Sequence, residues 1–185
     1  MTHTLNAIVL ATAGLFATTA SADLYTFQSG TNTVATLEIL DIMGGASFSL
    51  TSSTSSAYAA GAFLLDLAFS GPSGTFGSYS GPGTPAVATF GSFTNGGVSY
   101  DWMVNFDHAP PGDRLLDGMT ASWTITGAGI TADSFSMPMQ LHIGAIDGAD
   151  ASVKIPAIPE PETYALMLAG LGFLALLNRR RQQRR

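Results

Sequence analysis

Side chains that could perform catalysis are sparse in this 185-residue chain. Cysteine is absent, so neither disulfides nor thiol chemistry can operate. The two histidines beyond the first 22 residues are His108, beside a Pro-Pro-Gly turn, and His142, which alternates outward on a predicted strand. Nucleophilic hydrolysis needs a nucleophile, a base and an orienting group. No G-x-S-x-G, H-E-x-x-H or phosphate-binding loop is present, so the sequence predicts no catalytic activity.

Paired carboxylates are the second candidate chemistry, because two of them flanking a sugar can make a glycosidase. The nearest set is Asp101, Asp107, Asp113 and Asp117. Eleven acidic side chains between residues 23 and 158 produce such neighbours by chance. A solvated acidic surface explains them more simply, so a glycoside hydrolase is only a minor alternative.

Calcium is the one cofactor that the sequence suggests, since hard cations bind carboxylate and carbonyl oxygens of loops. Asp107 and Asp113 flank one turn, and Asp147 and Asp150 flank another. Neither pair has the spacing of an EF-hand. These four residues are the predicted metal candidates.

Arg114 and the two tryptophans have simpler structural interpretations. Arg114 is next to Asp113 and near Asp117, so a local ion pair that fixes the loop is expected. Trp102 and Trp123 could stack on sugars, but both lie on the apolar side of alternating strands. We therefore predict that both tryptophans belong to the core.

The elements that position these residues are predicted to be strands. The chain between residues 23 and 158 is rich in Gly, Ser, Thr and aromatics, a composition that disfavours helices. Alternation with a period of two is clearest at residues 98–106, where one face is predicted to carry Val98, Tyr100, Trp102, Val104 and Phe106. The candidate strands are 24–28, 34–40, 47–51, 63–69, 87–93, 98–106, 121–126 and 139–143.

Turn signals such as Asn95-Gly96-Gly97 separate these strands. Many short strands with no helical period between them predict an all-β fold, an antiparallel, jelly-roll-like β-sandwich over residues 23–149. Residues 70–85 are predicted to be a long loop, and residues 150–158 a linker.

The charge of this domain excludes nucleic acid as a partner. Two basic and eleven acidic side chains give residues 23–158 a net charge of −9, whereas nucleic-acid binding needs a basic face. The same charge keeps the domain soluble and attracts cations.

The N-terminal 22 residues predict a secretory signal peptide. Residues 7–17 are apolar, and Ala20-Ser21-Ala22 is a small-x-small cleavage site that would leave Asp23 as the first residue. The n-region has no Lys or Arg, so an uncleaved N-terminal anchor is the alternative.

The last 27 residues contain three parts in order: Pro159-Glu160-Pro161, an apolar run at 164–177, and five arginines. These are Arg179, Arg180, Arg181, Arg184 and Arg185. Fourteen helical residues span about 21 Å, short of the roughly 30 Å hydrocarbon core. The arginines resist translocation, and their long side chains can reach the membrane interface and so compensate for the short span. A transmembrane helix at about 162–178 with a cytoplasmic C-terminus is therefore expected. An ordinary membrane anchor and a buried core helix are the alternatives.

Together, these three parts resemble the PEP-CTERM sorting signal of exported proteins in Gram-negative bacteria, many of which produce exopolysaccharide. The resemblance implies that an exosortase recognises the tail and removes it near Pro159-Glu160-Pro161, after a transient stay in the inner membrane. The protein would then be the substrate and not the catalyst. The segments 93–102, 114–115, 123–127 and 152–154 also resemble an uncharacterised ectodomain attached to such tails, which supports one domain and implies no activity.

The sequence therefore predicts an exported cell-surface or biofilm-matrix protein with no catalytic activity of its own. Exopolysaccharide is a further candidate partner. A carbohydrate- or ice-binding module is the alternative. It would need exposed aromatics or a regular threonine array, and only Thr124 and Thr126 show that spacing.

Overall fold

A computed structural model describes residues 22–82, 87–95, 97–106 and 111–159. Its strands are β1 Ala22–Ser29, β2 Asn32–Ile42, β3 Gly45–Ser52, β4 Phe63–Ser70, β5 Thr75–Ser80, β6 Val87–Asn95, β7 Val98–Asn105, β8 Leu115–Leu116, β9 Thr120–Thr126, β10 Ser136–Gly144 and β11 Val153–Pro159. Three short 3-10 turns lie at Thr54–Ser56, Pro111–Asp113 and Ala132–Ser134. The predicted all-β class is confirmed.

No helix within the described residues is both long and apolar enough to cross a bilayer. The predicted transmembrane segment at 162–178 and its arginines lie outside the described residues. So does the predicted signal peptide, apart from Ala22, which begins β1.

The described strands form one antiparallel path in the order β5-β9-β3-β2-β1-β11-β10-β4-β7-β6, with β8 beside β4. The sheet is nearly closed and barrel-like. The predicted sandwich would have two separate sheets, whereas the described strands form one continuous sheet. The reason is β11, which pairs with β1 on one side and with β10 on the other and so joins the two halves.

The core lies inside this curved sheet and is filled from both halves. The ring of Phe48 on β3 stacks on Trp123 of β9, with centroids 5.3 Å apart. It also meets Phe69 of β4 at 5.4 Å and the edge of Phe135 at 4.9 Å. Aromatic contacts of this kind add to the large apolar area that each ring buries.

The predicted alternation is confirmed on β7 from Tyr100, which is buried together with Trp102 and Val104, whereas Ser99 and Asn105 are exposed. Val98 was predicted to share the inward face, but it is 38 % exposed at the start of the strand. All eight candidate strands are present. Their inward residues are apolar because a half-buried strand buries every second side chain.

Three strands were not expected. Residues 70–85 were predicted to be a loop, yet β5 lies within them as an edge strand along β9. β8 is a two-residue strand paired with the start of β4. The predicted linker at 150–158 is wrong, since β11 occupies most of it and lies in the middle of the sheet. Prolines 156 and 159 obscured this strand, because proline cannot donate to a ladder and usually avoids central strands.

Candidate functional site

Both ends of the described chain meet at one pole of the domain. β11 ends at Pro159, the first residue of Pro159-Glu160-Pro161, and Tyr25 of β1 lies opposite it. β1 begins only three residues earlier, at Ala22. We call this region the terminal pole, defined by Ala22, the turn at residues 42–45, and Pro159. The sorting tripeptide therefore begins where the sheet ends, with no spacer between them.

The boundary has a direct consequence for processing. Glu160 and Pro161 lie outside the described residues, and Pro159 is the last residue of β11. Cutting the chain after Pro159 leaves β11 whole. A cut within residues 153–158 would remove part of a strand that pairs on both sides.

Carboxylates help to build the terminal pole. Asp41, at the end of β2, accepts a 2.6 Å hydrogen bond from the backbone N–H of Ala132 and so fastens the turn that covers the core. Asp23 is half-buried nearby. Burial raises the pKa of Asp23, and the charges of Asp133 and Asp41 raise it further. These carboxylates have structural roles at the pole.

Tyr25 links the same pole to the core. Its hydroxyl donates a 3.2 Å hydrogen bond to the carbonyl of Phe135. Burial raises the pKa of Tyr25 to about 12, with smaller contributions from Asp23 and Asp133. The folded state therefore favours the neutral phenol.

The stability of the domain should consequently fall at high pH. Because the folded pKa of Tyr25 exceeds the unfolded value of 10.0, its contribution is complete below pH 10 and is lost as the pH rises towards 12. Tyr25→Phe should cost about 1 kcal/mol at pH 7 through the lost hydrogen bond. It should also flatten the stability profile above pH 10, measured by urea unfolding. Tyr79→Phe is the matched control and should keep the alkaline loss; an unchanged slope in Tyr25→Phe would refute this role.

Of the carboxylates that suggested a glycosidase, Asp101 and Asp117 lie at opposite ends of β4. Asp101 on β7 accepts a hydrogen bond from the backbone N–H of Gly71, 3.1 Å away, just beyond the end of β4. Asp117 follows β8 at the other end of β4 and accepts bonds from the Ser55 backbone N–H at 3.0 Å and hydroxyl at 2.7 Å. Those bonds lower the pKa of Asp117. Asp113 lies in the second 3-10 turn, and Asp107 lies outside the described residues.

Of the calcium candidates, Asp147 is engaged locally. The Oδ1 atom of Asp147 accepts bonds from the backbone N–H groups of Ala149 at 2.9 Å and Ala151 at 3.3 Å, and the first of these is the main reason that its pKa is lowered. Asp150 is in the same loop. Across the described ranges, no three His, Asp or Glu side chains are grouped so that they could hold a metal. With Asp107 undescribed, the calcium site remains a prediction.

One side-chain hydrogen bond between two strands was missed from the sequence. His142 was expected to be solvated, yet its Nδ1 lies 2.8 Å from Asp66 Oδ2 on the outer face, and each side chain is only about one-fifth exposed. The strand register places them opposite each other, with Lys154 and Asn105 as the next neighbours along the row. Neither neighbour supplies a hydroxyl nucleophile. No sequence signal pairs β4 with β10, so this contact could not be predicted.

The two tryptophans are buried, which confirms their predicted place in the core. The Trp102 indole N–H donates to the carbonyl of Pro72 at 2.9 Å. Arg114 places its guanidinium 4.4 Å from the centre of the Phe63 ring. This contact fastens the loop before β8 to β4. The local ion pair of Arg114 stays a prediction.

Comparison with known proteins bears on the terminal pole. Residues 157–182 match the PEP-CTERM protein-sorting motif, which confirms the resemblance seen in the sequence. The match begins inside β11 and continues into the basic cluster. It implies export and membrane-anchored sorting to the cell surface, with an exosortase as the processing partner. The chain has no significant match to a curated protein or to a solved structure.

Proposed function

We propose that this chain is an exported surface protein whose β domain is the cargo of its own C-terminal sorting signal. Residues 1–22 direct export, and the segment at about 162–178 holds the chain in the inner membrane with its C-terminus in the cytoplasm. An exosortase then cuts near Pro159-Glu160-Pro161 and the domain passes to the cell surface or exopolysaccharide matrix. The observation that supports this most strongly is that β11 ends at Pro159, inside the matched motif.

This boundary suits a processed substrate. Every strand of the described residues ends at or before Pro159, so a cut after Pro159 takes away no part of the described sheet. Two prolines separated by one residue hold the chain extended and prevent the following helix from continuing into the domain. On this proposal the tripeptide separates the described β domain from the predicted membrane segment.

The position of β11 also orders the events. A secreted chain crosses the membrane from its N-terminus, and among the described strands the two halves of the sheet are joined only through β11. The domain therefore closes only after residue 159 has crossed, when the apolar run at 164–177 has already reached the membrane. Closure and membrane retention occur together.

Charge favours the same topology. The domain has a net charge of −9, and the five arginines after residue 178 remain on the cytoplasmic side. The apolar run between them is short, so the retained state suits an intermediate awaiting cleavage.

The residues that suggested the carbohydrate- or ice-binding alternative are engaged inside the described domain. Trp102 and Trp123 are in the core. The hydroxyls of Thr124 and Thr126, the two threonines of the predicted array, donate to the carbonyls of Gly77 and Thr75, so β5 covers them. We therefore propose a non-enzymatic role and assign no ligand.

Fractionation of cells tests the proposal. In the native host the protein should leave the membrane pellet after alkaline extraction, whereas in a strain without its exosortase it should remain there. A chain ending at Pro159 should leave the pellet in both strains, because it keeps β11 but has no tail. Identical distribution of the full chain in the two strains would contradict the proposal.

A further inference from the structure

Exposed apolar side chains are concentrated at the terminal pole. Nine large hydrophobic side chains within the described residues are at least 38 % exposed. Five of them belong to this pole: Leu24, Ile42, Met43, Met137 and Ile158. Met43 is fully exposed. We call these five residues the apolar rim.

Strand register places the members of the rim together at one end of the sheet. Ile158 lies opposite Thr26 on β1, and Leu24 is two residues further along the same outer face. The register of Ala22 opposite Leu40 brings the turn containing Met43 to the start of β1. β10 runs antiparallel to β11, so the start of β10 lies beside the end of β11. Met137 is the second residue of β10 and therefore lies at this pole.

The turn that presents Met43 is well defined. It joins β2 to β3 with Ile42 opposite Gly45, and Gly44 has a φ of 78°, which favours glycine. A tight hairpin therefore holds a methionine at its tip, away from the core. Such a side chain adds nothing to the packing of the fold.

The adjoining sequence identifies what covers the rim. An apolar run begins at residue 164, five residues after Pro159. Five extended residues reach at most about 17 Å. While the chain is anchored, the terminal pole cannot lie far from the bilayer, and the rest of the domain points away from it.

The charges at this pole select the kind of lipid surface. Asp23 and Asp41 lie beside the rim, and the rim contains no basic residue. An anionic surface would repel these carboxylates, whereas a zwitterionic surface would not. The five side chains are flexible or aliphatic and suit the boundary between head groups and acyl chains.

We propose that, before its tail is removed, the domain lies with the apolar rim against the zwitterionic lipid surface and Met43 among the head groups. This rests on the proposed membrane-anchored intermediate and adds the surface that the domain uses. It places Pro159 at the bilayer boundary, where a membrane-embedded enzyme can reach the next residues. Cleavage then releases the rim along with the domain.

The absence of cysteine allows a direct test with a single label. Met43→Cys and Thr31→Cys are prepared in the full chain, labelled with an environment-sensitive fluorophore, and reconstituted in phosphatidylcholine vesicles with nitroxide-labelled lipid. Thr31 is an exposed turn residue at the opposite pole, between β1 and β2, so it is the matched control. The label at Met43 should be quenched severalfold more strongly than the label at Thr31.

Flotation of the same vesicles separates the two proposals. If the chain floats but the label at Met43 is quenched no more than the label at Thr31, the rim proposal fails and the anchor stands. If the chain does not float, the anchor fails and the rim proposal with it. Fluorescence at Met43 that responds to protein density but not to nitroxide would show a second copy on the rim, which also overturns the proposal.

Discussion

A chain that ends at Ala151 is expected not to fold, whereas a chain that ends at Pro159 folds fully. The shorter chain lacks β11, so β1 and β10 each lose a neighbour and the two halves of the sheet are no longer joined. Unpaired backbone groups and a core open along its centre should together cost about as much as the whole stability of a typical domain, about 5–15 kcal/mol. Circular dichroism during heating should show a cooperative transition for the longer chain only.

A matched pair of substitutions within β11 tests whether the strand stabilises the domain through its buried side chains, without changing the length of the chain. Ile155 is buried and Ile158 is 43 % exposed on the same strand. Ile155→Ala should lower the free energy of unfolding by about 2–4 kcal/mol, and Ile158→Ala by less than about 1 kcal/mol. Equal effects, or a folded chain that ends at Ala151, would show that β11 is the linker expected from the sequence.

The substitution Phe48→Ala is expected to have the largest effect of any single change in the core. Its ring touches Trp123, Phe69 and Phe135, which come from different parts of the sheet and a connecting turn. Removing the ring should lower the free energy of unfolding by about 3–5 kcal/mol, because the cost of the cavity adds to the lost transfer free energy of the ring. Denaturant unfolding, monitored by tryptophan fluorescence, measures the change.

Phe90→Ala is the control for this substitution. Phe90 is 46 % exposed and its ring meets only the edge of Trp102, at 5.0 Å, among the described aromatic rings. We expect a loss of about 1 kcal/mol. A loss at Phe90 as large as that at Phe48 would contradict the central position that the structure gives to Phe48.

The sequence predicted those strands whose inward side chains form an unbroken apolar series. Residues 98–106 alternate over four buried positions from Tyr100 to Phe106, and the outcome matches the prediction. β11 has only Ile155 and Ala157 as buried apolar residues, next to two prolines, so the pattern was too short to outweigh the proline signal. β5 has no apolar alternation and is stabilised instead by its pairing with β9.

The sorting motif could be predicted because its parts are contiguous in the chain, and the match at residues 157–182 confirms it. The contacts between distant elements could not be predicted in the same way. The His142–Asp66 pair and the Asp117–Ser55 bonds join residues separated by 76 and 62 positions. Their formation depends on which strands and loops become neighbours, which is decided by the whole fold. The same holds for the meeting of Ala22 and Pro159 at one pole.

The intact mass of the exported protein is the most direct test of the central claim. We predict that the protein from the native host begins at Asp23 and ends at or just beyond Pro159, and that a strain without the exosortase yields a chain that retains the arginines. A mass that retains the arginines in both strains would contradict the claim. So would a processed product that ends before Ile155, because it would lack most of β11.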